Sequence, residues 1–377
     1  MSKRAFVRIF FAEWNRYVHV ANRRKNPSVN LDIVSKHRGP IYGLSIIWIV
    51  VFHGRAIDGV DYSFGISALV PLKNVIATGN VGVDMFLFLS GVCLYFSFVK
   101  DSDIGHFMKK RFLRIVPAVW LVNTLYWMVR YLFLSFNPAG FLSRMSLMRF
   151  WMTGDSSIWF VSLIVVLYLL YPLIHRFLFP PQGGRSWVRC LMLLAIAYAL
   201  ILLLYYCNKD LYEMVEIALT RVPIFIFGCW MGKLVYERRQ LSRPWVLVPV
   251  ALCILFAIVM QFNLLHGPWR RFFYAIGGVS LSYCVALLCC VFARFGESSS
   301  RPLYRFLSWT GGFSLELYLS HIMLNQVLRL QPFYQEGNLA QYAAMATIAF
   351  VMAWVVSKIV AAIQHVVQNR RAGTVVS

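Results

Sequence analysis

The side chains able to do chemistry in this chain sit in apolar surroundings. His53 closes the run Ile46-Ile-Trp-Ile-Val-Val-Phe-His53, and Asp84 and Ser90 lie inside Gly82-Val-Asp-Met-Phe-Leu-Phe-Leu-Ser-Gly91. Arg111 and Arg114 occupy Lys109-Lys-Arg-Phe-Leu-Arg-Ile-Val-Pro117, while Glu316, Ser320 and His321 share Ser314-Leu-Glu-Leu-Tyr-Leu-Ser-His321. A carboxylate, hydroxyl or imidazole at bilayer depth is costly unless it faces protein or water, so each is a functional candidate.

An imidazole at the depth of His53 is expected neutral and able to accept a proton, as a general base acting on a hydroxyl must be. A histidine that glues two helices by a hydrogen bond fits its position equally well. Asp84, in the outer turn of its segment, can orient or charge-stabilise His53. Ser90 and Gly91 fall near mid-depth, where close helix packing is the simpler role. Arg111 and Arg114, at i and i+3, can aim two guanidinium forks at phosphates, or serve as topological charge. Trp159 follows Gly154-Asp155-Ser-Ser and reads as an interfacial anchor or an aromatic wall for a sugar at an outer mouth. Glu316, Ser320 and, nearly, His321 fall on one side of a helix, and a carboxylate so close to an imidazole favours function over anchoring.

These groups need a membrane scaffold to hold them. Of 377 residues, 59% are hydrophobic and 14% charged, with a mean hydropathy of +0.64, too apolar for an ordinary soluble domain. The reading is an all-α, polytopic membrane protein. Ten segments can cross about 30 Å of hydrocarbon, near 40–58, 80–99, 115–136, 158–178, 190–207, 219–236, 245–265, 272–294, 312–330 and 340–364. Placing both termini in the cytoplasm puts roughly 27 of the 37 Lys and Arg residues on that side, as the positive-inside rule asks. Topology therefore accounts for most of the net charge of +22, and no nucleic-acid partner is expected. Residues 1–38 read as a basic cytoplasmic segment, either an interfacial amphipathic helix or a charged tail, with no cleavable signal peptide. Residues 39–365 form the membrane domain, and 366–377 a short cytoplasmic tail. The connections near 59–79 and 137–157 have room for short surface helices.

Several familiar constellations are missing. The sequence holds no HExxH, no GxSxG and no complete P-loop, since Gly228-Cys-Trp-Met-Gly-Lys233 has the wrong spacing. The eight cysteines show no metal-ligand spacing and are expected to be small core residues. No permanently bound cofactor or metal is expected.

Taken together, the segments resemble the integral-membrane acyltransferase-3 family, ten-span acyltransferases that decorate bacterial surface sugars. The resemblance rests on the first-span His53, on residues 82–91 and 111–117, on Trp159-Phe with Tyr168 and Pro172, and on residues 314–321. Many members carry Arg or Lys eleven residues before the histidine; here Tyr42 stands there, with Arg38 one turn earlier as a candidate replacement.

The resemblance implies an O-acyltransferase of the bacterial inner membrane. Acyl-CoA, acetyl-CoA by family frequency, would dock its phosphates at Arg111 and Arg114 on the cytoplasmic side. A hydroxyl of a surface polysaccharide or lipid-linked glycan would enter past Trp159 and lose its proton to His53. Asp84 would orient His53, and Glu316 and His321 would position the thioester or relay the proton. Direct transfer and a covalent relay through Ser90 or His53 both remain open. The alternatives from other classes are a transporter or flippase for a glycan or lipid precursor, which should show paired broken helices, and a non-catalytic partner in polysaccharide assembly.

Overall fold

Within hydrocarbon the backbone must satisfy its own polar groups, so apolar runs joined by short polar turns fold as helices. The computed structural model is accordingly helical almost throughout, and it describes residues 29–54, 70–292, 301–335 and 338–374. In chain order the elements are β1 (Val29–Asn30), α1 (Ile33–Lys36), α2 (Arg38–His53), α3 (Val70–Ala77), α4 (Val81–Lys100) and α5 (Ile104–Met128), which continues as a π-helical stretch over Val129–Leu134. There follow α6 (Pro138–Met145), α7 (Arg149–Thr153), α8 (Trp159–Leu178), α9 (Ser186–Cys207), α10 (Lys209–Leu219) and α11 (Val222–Tyr236). The last are β2 (Gln240–Leu241), α12 (Arg243–Gln261), α13 (Gly267–Phe292), α14 (Arg301–Gly312), α15 (Ser314–Arg329) and α16 (Leu339–Thr374). The two strands pair antiparallel.

Seven of these stretches are long and apolar enough to cross a membrane: 81–100, 104–134, 159–178, 186–207, 209–236, 267–292 and 339–367. Shorter helices fill the three other expected segments, α2, α12 and α15. Short helices α3, α6 and α7 occupy the long connections near 59–79 and 137–157. The expected amphipathic helix through Phe6, Trp14 and Tyr17 lies outside the described residues.

Two boundaries differ from the sequence expectation in ways that matter for the site. The span expected from 115 starts earlier, as α5 at Ile104, where the Asp103 side chain accepts the His106 amide at 2.6 Å and caps the helix. Arg111 and Arg114 thus stand on the rigid first turns of a spanning helix. Residues 301–312 form a helix of their own, which packs on α2.

α4 is the most deeply buried of the long helices and packs on α2, α8, α11 and α13. Its contact with α11 is backbone to backbone. A Cβ at Gly91 would sit 2.6 Å from the Cys229 nitrogen and the Phe225 oxygen, and one at Gly228 would strike the Phe88 carbonyl. The Gly228-x-x-x-Gly232 spacing is a packing face, the small-residue device of membrane helices. At the α2–α14 contact a Cβ on Gly43 would collide with the Leu307 carbonyl. Cysteines only partly follow expectation: Cys190 and Cys229 are buried, Cys93, Cys253, Cys284, Cys289 and Cys290 are half-buried, and Cys207 is exposed. Outward-facing apolar positions suit a thiol as well as core positions do, because lipid replaces water there.

Candidate active site

The helical repeat puts Arg38, Tyr42, Ile49 and His53 on one stripe of α2, at steps of four, seven and four residues. Along α2, Arg38 and His53 are about 22 Å apart at 1.5 Å per residue. On α15, Ser314, Tyr318, His321 and Asn325 form a matching stripe. The two helices pack together, and their stripes meet at the histidines.

His321 is fully buried and its Nδ1 lies 2.9 Å from the Leu317 carbonyl. A carbonyl only accepts, so Nδ1 carries the proton and Nε2 of the neutral ring is an acceptor. That Nε2 lies 3.2 Å from His53 Nδ1, which is also 3.0 Å from the Ile49 carbonyl. Two acceptors converging on one nitrogen place the His53 proton on Nδ1. Its Nε2 is left with a free lone pair. The ring centroids are 5.2 Å apart, and Tyr318 packs edge-on against His321 at 5.7 Å.

On one side of this pair lies a cavity of about 590 Å³. Lys36, Arg38, Arg111 and Arg114 line its cationic end; Tyr42, Ser90 and Tyr168 line its middle; Phe86, Phe160, Ile49 and Tyr318 close its inner end. Ile49 and Tyr318 are the residues that touch the histidines, so the cavity ends one side chain short of the pair. On the other side a narrow polar pocket of about 10 Å³, room for about one water, is lined by His53 itself, with Asn325, Arg329 and Tyr342 among its other walls.

The placement of each expected residue follows from helix geometry. Arg111 faces the cavity, its Cζ 5.3 Å from the Phe107 ring and 5.8 Å from Tyr168, an aromatic seat that orients a guanidinium. Arg114 also borders the cavity, but both its terminal nitrogens donate to the Glu316 carboxylate, Nη2 at 3.0 Å from Oε2. Glu316 is fully buried. It is therefore the anchor of Arg114 and not a companion of His321. Five residues on a helix turn through about 500°, so 316 and 321 point apart. Ser90 faces the cavity while its neighbour Gly91 does the packing.

Asp84 does not orient His53. Two residues earlier, Gly82 abuts α2, where a Cβ would meet the Ser45 carbonyl at 2.6 Å. A further 200° of helix turns Asp84 away, toward α11 and α13. There it is buried with Arg221, Nε to Oδ2 3.4 Å. Arg221 also donates to Asn80 and to the Ile217 carbonyl, and its Cζ lies 4.8 Å from the centre of the Trp159 ring. Trp159 is thus a buried cover on this ion pair, and no wall of the polar pocket beside His53. Phe160, its neighbour, is the one that faces the cavity.

Arg221 carries a signal that could have been read, since it is a cation inside an apolar segment, the same mark that singles out Asp84. Tyr318, Asn325 and Arg329 carry none, being ordinary polar residues until α15 is docked. Among the described residues no group of three or more His, Cys, Asp or Glu side chains is arranged to hold a metal ion.

Comparison with known proteins fits this geometry. No curated protein and no solved structure matches the chain. The model of an acyltransferase domain, by contrast, matches residues 43–358. That range takes in both histidines, the two arginines of α5 and almost every spanning helix, and the chain belongs to the acyltransferase-3 family.

Proposed function

We propose that this membrane acyltransferase moves an acetyl group from cytoplasmic acetyl-CoA to a hydroxyl of a surface polysaccharide or lipid-linked glycan, working in the bacterial inner membrane with ten spans and both termini in the cytoplasm. The observation that carries the reading is the His53–His321 pair held between a cation-mouthed cavity and a separate polar pocket. Two substrates of different chemistry can then approach one base from opposite ends.

In this reading Lys36, Arg38 and Arg111 bind the phosphates of CoA, and Arg114 shapes the mouth while held by Glu316. Arg38 takes the place of the basic residue that many relatives carry nearer the histidine. The thin pantetheine arm follows the Tyr42, Ser90 and Tyr168 wall, bringing the thioester to Ile49 and Tyr318. His53 Nε2 accepts the proton of the acceptor hydroxyl as its oxygen attacks the thioester carbonyl. The carbon–sulfur bond breaks, and the proton on His53 passes to the departing CoA thiolate. His321 Nε2, as acceptor, holds the His53 Nδ1 proton and stabilises the charge that develops on the ring. Asp84, Arg221 and Trp159 act at a distance by fixing α4 against α11 and α13. In this reading His53, which lines the polar pocket, meets the acceptor, and Ser90, on the donor side, does not.

The test is transfer of label from [acetyl-14C]acetyl-CoA into glycan in membranes holding wild type or His53→Ala at matched levels. Label that requires both the protein and His53 supports the reading. Label that persists in His53→Ala removes the base.

A further inference from the structure

We infer that the acceptor puts its reacting hydroxyl into the narrow polar pocket formed by His53, Asn325, Arg329, Tyr334, Asn338 and Tyr342, and that it carries an anionic group, carboxylate or phosphate, near that hydroxyl. This rests on the acyl-transfer reading and names the substrate class of the same site.

Contact with the base is the first argument. His53 lines this pocket, whereas the larger cavity stops at Ile49 and Tyr318. The second is chemical. Side-chain amides and phenols both donate and accept, as sugar hydroxyls require, and this pocket is walled by Asn325, Gln335, Asn338, Gln341, Tyr334 and Tyr342. The third is spacing. His321, Asn325 and Arg329 stand at i, i+4 and i+8 on one face of α15, so the ladder rises in steps of about 6 Å from the histidine pair. A hydroxyl that enters this narrow pocket to reach His53 leaves the rest of its sugar toward the rim, where Asn325 stands one step out and a guanidinium two steps out. Arg329 is exposed and lines this pocket. Its fork matches a carboxylate or phosphate.

The outer wall is built before any ligand arrives. The Gln341 side chain donates to the Phe333 carbonyl at 2.8 Å and accepts the Gln335 amide at 3.1 Å, while Asn338 donates to the Gln335 side chain at 3.1 Å. The Tyr342 hydroxyl donates to the Val50 carbonyl, tying this wall to α2 one turn from His53.

The experiment uses membranes of a host whose glycan the wild type acetylates, with the wild type, Asn325→Ala and Arg329→Gln at matched levels. Label transfer is followed as glycan and acetyl-CoA are varied separately. In both variants the apparent KM for glycan should rise at least tenfold while that for acetyl-CoA stays within twofold, which shows the donor side folded and working. Glucose, glucuronate and glucose 1-phosphate are then compared as competitors. One of the acidic sugars should inhibit the wild type at least fivefold more strongly than glucose, and Arg329→Gln should erase the difference; the stronger identifies carboxylate or phosphate. Unchanged glycan KM in both variants overturns the subsite, and equal inhibition by all three sugars overturns the anionic acceptor. A wild type that labels no glycan, from acetyl-CoA or another acyl-CoA, sinks the acyl-transfer reading and this site with it.

Discussion

His321 has no free edge for chemistry of its own, and its removal measures the worth of the imidazole pair. Its Nδ1–H is committed to the Leu317 carbonyl and its Nε2 to His53. In the resting enzyme the His53–His321 bond is neutral. In the proposed reaction, once His53 has taken the acceptor proton, the same bond joins a cation to an acceptor. Hydrogen bonds to a charged group contribute roughly 1.5–3 kcal/mol, and each 1.36 kcal/mol is about tenfold in rate. His321→Ala should therefore lower kcat by about 10- to 150-fold. His53→Ala loses the whole general-base contribution, about 10²- to 10⁴-fold. His321→Gln is the informative variant, because its amide oxygen can reach the place of Nε2 and accept the same proton. It should keep kcat within about tenfold of wild type, by the weaker bond of a neutral acceptor. The assay is acetyl transfer at saturating acetyl-CoA with protein quantified in the membrane. A His321→Ala enzyme with wild-type kcat would refute the pairing, as would a His321→Gln enzyme no better than the alanine variant.

The other expectations concern the donor mouth and the scaffold. Arg111→Ala should raise the apparent KM for acetyl-CoA with little change in thermal stability, whereas Arg114→Ala should lower stability as well. Stranding a buried carboxylate costs at or below the low end of roughly 3–5 kcal/mol, because the guanidinium is partly open to the cavity. The pair Arg114→Ala, Glu316→Ala should then be no less stable than Arg114→Ala alone, read from melting in detergent; additive losses would dismiss the bidentate bond. Gly91→Ala forces a methyl against backbone atoms and should cost roughly 1–3 kcal/mol, seen as a lower melting midpoint; an unchanged midpoint would contradict the close α4–α11 approach. Burial alone would push Asp155 up, but Ser157, Arg144 and Arg149 outweigh it and hold the carboxyl below its ordinary value. A depressed folded value means stability present above about pH 3.9, the unfolded value, and lost as pH falls through the folded one. The wild-type advantage over Asp155→Asn should therefore be full at pH 6 and shrink below pH 4. A gap that does not narrow would count against the Arg144 clamp.

The spanning segments were legible because hydrocarbon leaves the backbone few choices: a helix stands at every one of the ten expected places, though two, α2 and α15, are shorter than a typical span. The ends of the helices were less legible. Asp103 starts α5 by a local cap that hydropathy does not register, so the spanning helix begins at Ile104, well before the expected 115, and takes in Arg111 and Arg114. What the sequence withheld most was partnership. Asp84 and Glu316 both drew attention as costly intramembrane carboxylates, and both turn out to be matched by guanidiniums, Arg221 137 residues on and Arg114 202 residues back. Hydropathy marks that such a charge needs a partner. It cannot say which, because protein-facing and lipid-facing sides of these helices are equally apolar. Histidine escapes that rule: no cation or carboxylate is needed to settle a neutral imidazole, only a carbonyl and another ring. His53 and His321 meet as a neutral pair, whereas the carboxylates are held by arginines elsewhere. A group that is stable uncharged in the membrane yet able to take a proton is what transfer to a hydroxyl demands. The ion pairs answer a different need, fixing the helices that keep that pair in register.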